Sequence, residues 1–233
     1  MEQILSRRKL FALSLTVVLL SVFLGTALWN WQRNLRRPPS GNEHALEGLK
    51  VFGSVPPFSL TEKDGRPVTL LDLKDKIWIV NFIYTNCPDT CPIQSAQMRE
   101  IQEDFKNAEE LRLVSITVDP TRDTPEVLSE YANRFSADPR RWLFLTGDKG
   151  AIYKFAESGF RLGAMELPHE QRRESGATHT HSPRFVLVDR DSQIRGYYVS
   201  TDPDAMKRLN RDLKILLQKS AAHSLIKSKI YGV

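Results

Sequence analysis

Residues 78–92, Trp-Ile-Val-Asn-Phe-Ile-Tyr-Thr-Asn-Cys-Pro-Asp-Thr-Cys-Pro, form an apolar run that ends in Cys87 and Cys91, the only two cysteines of the 233-residue chain. The first part of this run is rich in Ile, Val and Phe, which is typical of a buried strand, and residues 93–105 have the pattern of a helix. The cysteines therefore lie where a strand passes into a helix. A helix N-terminus carries unpaired N–H groups and partial positive charge, so a thiol placed there ionises more easily and becomes a better nucleophile or metal ligand.

The net charge of +5 is concentrated at the N-terminus. Residues 1–41 contain six basic residues and one acidic residue, which accounts for the whole excess and leaves 27 basic and 27 acidic residues in the rest of the chain. A nucleic-acid-binding surface would need a basic excess in the folded part. The charge pattern therefore indicates a membrane or export role for the N-terminal segment and argues against nucleic acid as a partner.

A long uncharged segment follows the first basic residues. No charged residue occurs from Leu10 to Gln32, and this length matches the roughly 20 apolar residues that cross a bilayer as a helix. The apolar region of a cleaved signal peptide is shorter, about 7–15 residues, and ends at a small-residue cleavage site. We therefore predict an N-terminal segment at residues 1–9, a single uncleaved transmembrane helix at 10–31 and a linker at 32–49. Three basic residues flank each side of this helix, so charge alone leaves its orientation open. It is the resemblance described below that implies a cytoplasmic location for residues 1–9.

Residues 50–220 have alternating strand and helix patterns, and residues 221–233 read as a C-terminal tail. An Asp-Gly pair at 64–65 between two short extended runs predicts an N-terminal β-hairpin. A strand, a helix and a strand in succession imply a right-handed parallel crossover. We predict an α/β fold, a thioredoxin-like three-layer sandwich with an N-terminal β-hairpin and an inserted hairpin. The predicted strands are 77–83, 111–118, 142–147, 184–189 and 194–199, the predicted helices 93–105, 125–135, 151–156 and 203–218, and residues 161–180 form a polar loop.

The spacing of Cys87 and Cys91 allows three uses. If the segment is helical, the two sulfurs lie one turn apart, within reach of a disulfide or of one shared metal ion. A structural disulfide would close a loop of only five residues and remove little entropy from the unfolded chain. A dithiol–disulfide exchange site fits this junction of a thioredoxin fold, although that motif has two intervening residues where this chain has three. Two thiolates with a third ligand such as imidazole would suit copper.

The chain contains five histidines that could supply such a ligand. His181 precedes a predicted strand at the end of the polar loop, so it would approach the cysteines if that strand lies beside theirs, and His179 is two residues away. The remaining three are His44 in the linker, His169 in the polar loop and His223 in the tail.

With these residues in place, the chain resembles the Sco/SenC proteins, which are copper chaperones for assembly of the CuA site of cytochrome c oxidase. The resemblance spans residues 53 to about 218 and implies the copper ligands Cys87, Cys91 and His181. His179 has no counterpart, so it would be a neighbour or a substitute ligand. Asp119 is an acid that the family keeps, which implies a supporting role behind the ligands, and simple turn capping before Pro120 is the alternative. The motifs are the run at 80–92, Val-Ser-Ile-Thr-Val-Asp-Pro-Thr-Arg-Asp-Thr-Pro at 114–125, Trp142 with Leu-Thr-Gly at 145–147, and His-Ser-Pro-Arg-Phe-Val-Leu-Val-Asp at 181–189.

The resemblance also implies a function and a location. The protein would be a metallochaperone and not an enzyme, holding one copper ion, Cu(I) or Cu(II), for the CuA subunit of the oxidase. Other partners would be an upstream copper donor or a thiol reductant. The alternative is a thiol-disulfide oxidoreductase that reduces the CuA cysteines or acts in redox sensing, with Cys87 and Cys91 as its redox-active pair. The domain would lie on the periplasmic side of the inner membrane. One departure is the turn at residues 189–192, which lacks a glycine that the family often has there.

Overall fold

The computed structural model describes residues 24–26, 47–166 and 179–231, without the side chains of 165–166, 180–181 and 219–231. The chain divides into two compact units, residues 1–44 and 45–233. In the first unit residues 24–26 are helical. The rest of the predicted transmembrane helix, the N-terminus before it and residues 32–46 of the linker lie outside the described residues. Within the described ranges, no helix has both the length and the apolar character that spanning a bilayer requires.

The second unit is built on a mixed eight-stranded sheet. Its strands are β1 (Gly53–Ser54), β2 (Ser59–Glu62), β3 (Pro67–Thr69), β4 (Ile77–Ile83), β5 (Leu111–Thr117), β6 (Trp142–Thr146), β9 (Arg184–Val188) and β10 (Gln193–Val199), in the order β1-β10-β9-β4-β5-β6-β2-β3. The neighbours β4, β5 and β6 are parallel, and the other pairs are antiparallel. Both predicted hairpins, β2–β3 and β9–β10, are confirmed. Two short strands outside the sheet, β7 (Ala164–Glu166) and β8 (His179–His181), form an antiparallel ribbon.

Helices cover both faces of the sheet. On one face lie α1 (Thr90–Asp104), α2 (Pro125–Arg134) and α4 (Pro203–Tyr231). The ring of Tyr131 in α2 packs on Phe144 of β6, and Ser95 of α1 hydrogen-bonds the Tyr131 hydroxyl at 2.9 Å. The Tyr198 hydroxyl of β10 donates to Asp212 of α4 at 2.8 Å. These contacts fix the three helices on the side of the sheet to which Phe144 and Tyr198 point.

The opposite face carries α3 (Lys149–Lys154), which continues into a π-turn at Phe155–Gly159. Phe160, directly after the turn, packs its ring on Trp78 and Phe82 of β4. Residues two apart in a strand share a face, so Trp78 and Phe82 lie on the side opposite Asn81. The result is a helix–sheet–helix sandwich, which confirms the predicted α/β architecture.

The central strand β4 is buried along its whole length, because both of its faces are covered. Its one polar side chain, Asn81, accepts a hydrogen bond from Ser115 at 2.8 Å, and the Ser115 hydroxyl accepts from the Trp142 indole at 3.0 Å. A buried polar group costs free energy unless it is hydrogen-bonded. This chain across β4, β5 and β6 therefore holds the three parallel strands in register.

Three boundaries differ from the sequence prediction. Helix α1 begins at Thr90, three residues earlier than predicted, because Pro92 is tolerated in the first turn of a helix. Helix α4 continues to Tyr231 instead of ending at Gln218, since residues 219–231 contain no glycine or proline to end it. The ends of the predicted loop at 161–180 pair as the β7–β8 ribbon, whose three-residue strands are too short to show a period.

The turn between β9 and β10 has no glycine at the position where the resemblance to the Sco/SenC proteins leads one to expect it. Ser192 has a φ of 58°, in the left-handed region that favours glycine. Asp189 compensates, because its Oδ1 accepts the backbone N–H groups of Asp191 and Gln193 at 3.0 and 2.9 Å. The hairpin therefore keeps its turn without the glycine.

Replacing Gly196 with alanine should destabilise the domain. A Cβ at Gly196 would lie 2.5 Å from the hydroxyl of Tyr198, which is fully buried and bound to Asp212 and so cannot move away freely. Overpacking of this kind costs about 1–3 kcal/mol, and urea denaturation of Gly196→Ala should show that loss. Gly163→Ala is the matched control, since a Cβ there meets no atom within 4 Å. Equal midpoints for the two variants would contradict the packing described for Tyr198.

Candidate metal centre

The junction after β4 positions the two thiols. Cys91 lies in the first turn of α1 and is fully buried, whereas Cys87 lies in the preceding turn and is half-buried. No disulfide joins the two residues. The Cys87 N–H donates to the carbonyl of Tyr84 at 3.2 Å, which bends the chain back at this point. Because Pro88 disfavours the helical conformation at the residue before it, only Cys91 belongs to the helix, and the two sulfurs meet through the turn instead of through one helical face.

The sulfur of Cys87 accepts two hydrogen bonds. One comes from the Cys91 thiol, and the other comes from the hydroxyl of Tyr84. The hydrogen bond to Cys87, followed by burial, raises the pKa of the Cys91 thiol. Burial, followed by the bond to Cys87, likewise raises the pKa of Tyr84. Cys91 therefore keeps its proton at neutral pH in the reduced, metal-free protein, and Cys87 is the sulfur that solvent reaches.

Tyr84 also ties the β8 strand to this site. Its hydroxyl accepts a hydrogen bond from the backbone N–H of His179, and the rings of Tyr84 and His179 lie 5.4 Å apart. His179 is 5% exposed, and its Nδ1 lies 3.7 Å from Oδ2 of Asp119. Tyr84, directly after β4, and Asp119, in the loop after β5, therefore hold His179 and with it the ribbon beside the thiols.

The structure describes the side chains of some predicted ligands and not of others. Cys87 and Cys91 are brought together, and His179 lies next to Tyr84. The backbone of His181 lies in β8 opposite Ala164, but its side chain is outside the described residues, as are His44, His169 and the side chain of His223. Among the groups that are described, no three His, Cys, Asp or Glu side chains converge on one point.

The backbone of Asp119 closes the turn at Pro120 and its carboxylate faces His179, while its role behind the copper ligands stays a prediction. Its backbone carbonyl accepts the N–H groups of Arg122 and Asp123, at 3.1 and 2.8 Å, which closes the turn after β5. Its carboxylate, in a residue only 8% exposed, faces His179 and lies 3.9 Å from the guanidinium of Arg122. The residue that closes this turn is therefore also the one that pairs with the buried histidine.

Asp123 is a part of the site that sequence reasoning missed. The N-cap of α2 is Thr124, whose hydroxyl accepts from Val127 N–H at 3.4 Å. The fully buried Asp123 carboxylate instead accepts from the backbone N–H and hydroxyl of Thr85, at 3.0 and 2.6 Å, and from the hydroxyl of Thr117 at 2.5 Å. Burial raises the pKa of Asp123 against the opposing effect of these donors. Its charge also contributes to the raised pKa of Cys91.

The sheet is thioredoxin-like, and two thiols lie at the junction of a strand and a helix with a histidine-bearing strand beside them. These features define a thiol-based site on a thioredoxin-like fold. The chain belongs to the SCO1/SenC family, whose sequence profile matches residues 50–217.

Individual relatives agree with this membership. The chain is 30% identical over 162 residues to the SCO1 protein homolog of Bacillus subtilis strain 168, which covers 69% of this chain and 81% of that protein. The structure of Bradyrhizobium japonicum ScoI with copper bound superposes with a TM-score of 0.56 at 31% identity, over 68% of this chain and 99% of that one. BsSco, a member of the Sco family of cytochrome c oxidase assembly proteins in which a disulfide switch was identified, superposes with a TM-score of 0.60 at 26% identity, over 75% and 98%.

Replacing Asp123 with asparagine should lower the free energy of unfolding by about 1–3 kcal/mol, because an amide cannot accept all the hydrogen bonds that Thr85 and Thr117 donate. Chemical denaturation monitored by tryptophan fluorescence measures the change. Asp104→Asn removes an exposed carboxylate at the end of α1 and should change little. If both variants unfold at the wild-type denaturant concentration, Asp123 does not hold the two strand ends together.

The two thiols should react with iodoacetamide in a fixed order. In the reduced, metal-free chain at pH 8, Cys87 should be alkylated at least about tenfold faster than Cys91, because Cys91 is buried and its thiol pKa is raised. Mass spectrometry of quenched time points gives the two rates. In guanidinium chloride the rates should become about equal, and equal rates in the folded chain would contradict the asymmetry.

Proposed function

We propose that this chain is a copper chaperone that binds one copper ion through Cys87, Cys91 and His181 and delivers it to the CuA site of cytochrome c oxidase. The observation that carries the proposal is the hydrogen bond between the side chains of Cys87 and Cys91 at the start of α1, where no disulfide joins them. Membership of a family with a copper-bound member supports copper as the cargo. The chain is a carrier in this proposal and not an enzyme.

The donor set suits copper. Thiolates are soft ligands that select Cu(I), and an imidazole as third ligand gives a trigonal site that also tolerates Cu(II). When the metal binds, it replaces the proton on Cys91, so the hydrogen bond that now joins the two sulfurs gives way to shared coordination. Cys91 is buried and Cys87 is half-buried. Cys91 would therefore bind the ion from the interior of the protein, and the side of the ion at Cys87 would stay accessible to a partner.

His181 is the proposed third ligand, and His179 and Asp119 support it. The ring of His179 is engaged by Tyr84 and Asp119 behind the thiols. Residues two apart in a strand occupy the same face, so fixing position 179 in β8 also fixes the face on which position 181 stands. The Tyr84–His179 hydrogen bond would therefore aim the ligand strand at the cysteines.

We further propose the cellular arrangement predicted from the sequence. Residues 10–31 would anchor the chain in the inner membrane, residues 1–9 would be cytoplasmic, and the linker at 32–49 would place the domain at 50–220 on the periplasmic side. The proposed partners are the CuA subunit of the oxidase and an upstream copper donor or thiol reductant.

A second function, thiol-disulfide exchange, uses the same pair. It is favoured by the hydrogen bond between the two thiols, because disulfide formation requires the two sulfurs to be neighbours. Copper binding needs both thiols reduced, so an oxidised pair could carry no copper. The two functions therefore need different states of the same pair. A copper chaperone keeps both thiols reduced while it holds the metal. A thiol-disulfide oxidoreductase becomes oxidised, because it donates two electrons to the CuA cysteines or to another disulfide in redox sensing.

A copper titration separates these functions. The reduced full chain, titrated anaerobically with Cu(I), should bind one equivalent, and the chain with an oxidised pair should bind none. His181→Ala should cost more affinity than the roughly 10–100-fold expected for loss of a supporting residue, whereas the matched variant His179→Ala should stay within that range. Competition with a chromogenic chelator measures the affinities.

Two outcomes would overturn the proposal. A reduced chain that takes up no stoichiometric copper, while it reduces a model disulfide, would assign the pair to thiol-disulfide exchange. Copper affinity that survives His181→Ala and is abolished by His179→Ala would move the third ligand to His179.

A further inference from the structure

A separate pocket of about 310 Å³ lies beside the β7–β8 ribbon. It is lined by Phe52, Arg161, Leu162, Ser182, Arg184 and Tyr197 among others. None of these residues is a proposed copper ligand, although Ser182 directly follows His181. The pocket is therefore a neighbour of the thiol site and is chemically distinct from it.

The sheet register places two polar groups of the pocket together. Arg184 of β9 is opposite Val199 of β10, and Tyr197 is opposite Val186. Arg184 and Tyr197 are therefore diagonal neighbours on the face of the hairpin that is opposite α4. Burial raises the pKa of the Tyr197 hydroxyl, and the positive charge of Arg161 opposes this rise, which places the Arg161 guanidinium close to the same group.

Two buried groups of this pocket have no hydrogen-bond partner within the described part of the chain: the hydroxyl of Tyr197, a residue that is 5% exposed, and Nη1 of Arg184. Arg161 is exposed to solvent. In the described part of the chain, neither Arg161 nor Arg184 forms an ion pair. Many other arginines do have a carboxylate partner: Arg66, Arg122, Arg140, Arg190, Arg195, Arg208 and Arg211.

Leaving buried donors unsatisfied is costly. The cost is greater when the buried group is charged, as in Arg184. Two guanidinium groups and one phenol around one cavity offer positive charge and O–H and N–H donors, which is the complement of a planar oxyanion. The ring of Phe52, packed edge-on against Tyr197 at 5.7 Å, and the side chain of Leu162 make the remaining wall apolar. An apolar wall favours an anion that carries carbon over an inorganic one.

We propose that this pocket binds a carboxylate group on a short aliphatic chain, held by Arg161, Arg184 and the Tyr197 hydroxyl. The ligand is either a small dicarboxylic acid or the acidic side chain of a protein partner. Binding here leaves the thiols untouched, because no lining residue belongs to the Cys87–Cys91–Tyr84 network.

The test uses the reduced, metal-free full chain and succinate as the probe, with succinamide as the neutral match. Succinate should bind, with NMR amide shifts concentrated at Phe52, Gly163, Ser182 and Tyr197, and succinamide should not. Arg161→Gln and Tyr197→Phe should each weaken succinate about tenfold or more, which is the factor expected for loss of one charge-assisted hydrogen bond. Arg140→Gln removes a side chain that is 89% exposed and lies outside the pocket, and it should leave the affinity unchanged.

Three results would each overturn the proposal: equal binding of succinamide, unchanged succinate affinity in Arg161→Gln, or amide shifts outside the pocket. A blocked peptide with one internal glutamate distinguishes the sources: a peptide that binds more tightly than succinate assigns the pocket to a partner's side chain, and a weaker one assigns it to a small acid. Copper affinity should be unchanged in Arg161→Gln, so this proposal and the copper proposal can fail independently.

Discussion

The hydrogen bonds that Asp123 accepts from Thr85 and Thr117 join the ends of two neighbouring parallel strands. β4 and β5 run in register, with Ile83 opposite Thr117, so the segments that follow them leave the sheet at the same edge. One segment carries the two cysteines, and the other carries Asp119. A single buried carboxylate joins the two segments directly, in addition to the backbone hydrogen bond from Val118 N–H to the carbonyl of Ile83 at 2.8 Å.

Burial and hydrogen bonding oppose each other at this carboxylate, and their balance explains the local chemistry. Burial disfavours the charged form of Asp123, while three donors favour it, and the net pKa remains raised. At Cys91 both the bond to Cys87 and burial favour the protonated thiol. Tyr84 adds a neutral donor to Cys87 and an acceptor for the β8 backbone. The hydrogen bond to Cys87 and burial therefore favour the protonated thiol of Cys91 in the reduced, metal-free protein.

The sequence predicted the long elements well, because β4, β5 and β6 are mostly apolar and the β2–β3 turn carries Asp-Gly. It also placed both cysteines at the junction of a strand and a helix. It did not predict the contacts around them. Tyr84 ends an apolar run and Asp123 lies just before a helix, yet their partners are His179, 95 positions along the chain, and Thr85, 38 positions back. Contacts at such separations depend on which strands are neighbours, and local patterns do not contain that information. The β8 strand is similarly hidden, because three residues are too few to show a period.

Cys87 and Cys91 differ in exposure, so one sulfur of the pair faces solvent and the other faces the protein interior. A metal complex, a thiol or an oxidant that arrives from solvent meets the half-buried sulfur of Cys87 before the buried sulfur of Cys91. Under the proposed function, loading and release of copper would therefore both proceed through Cys87, and a partner that docks over Cys87 would control both steps without opening the fold.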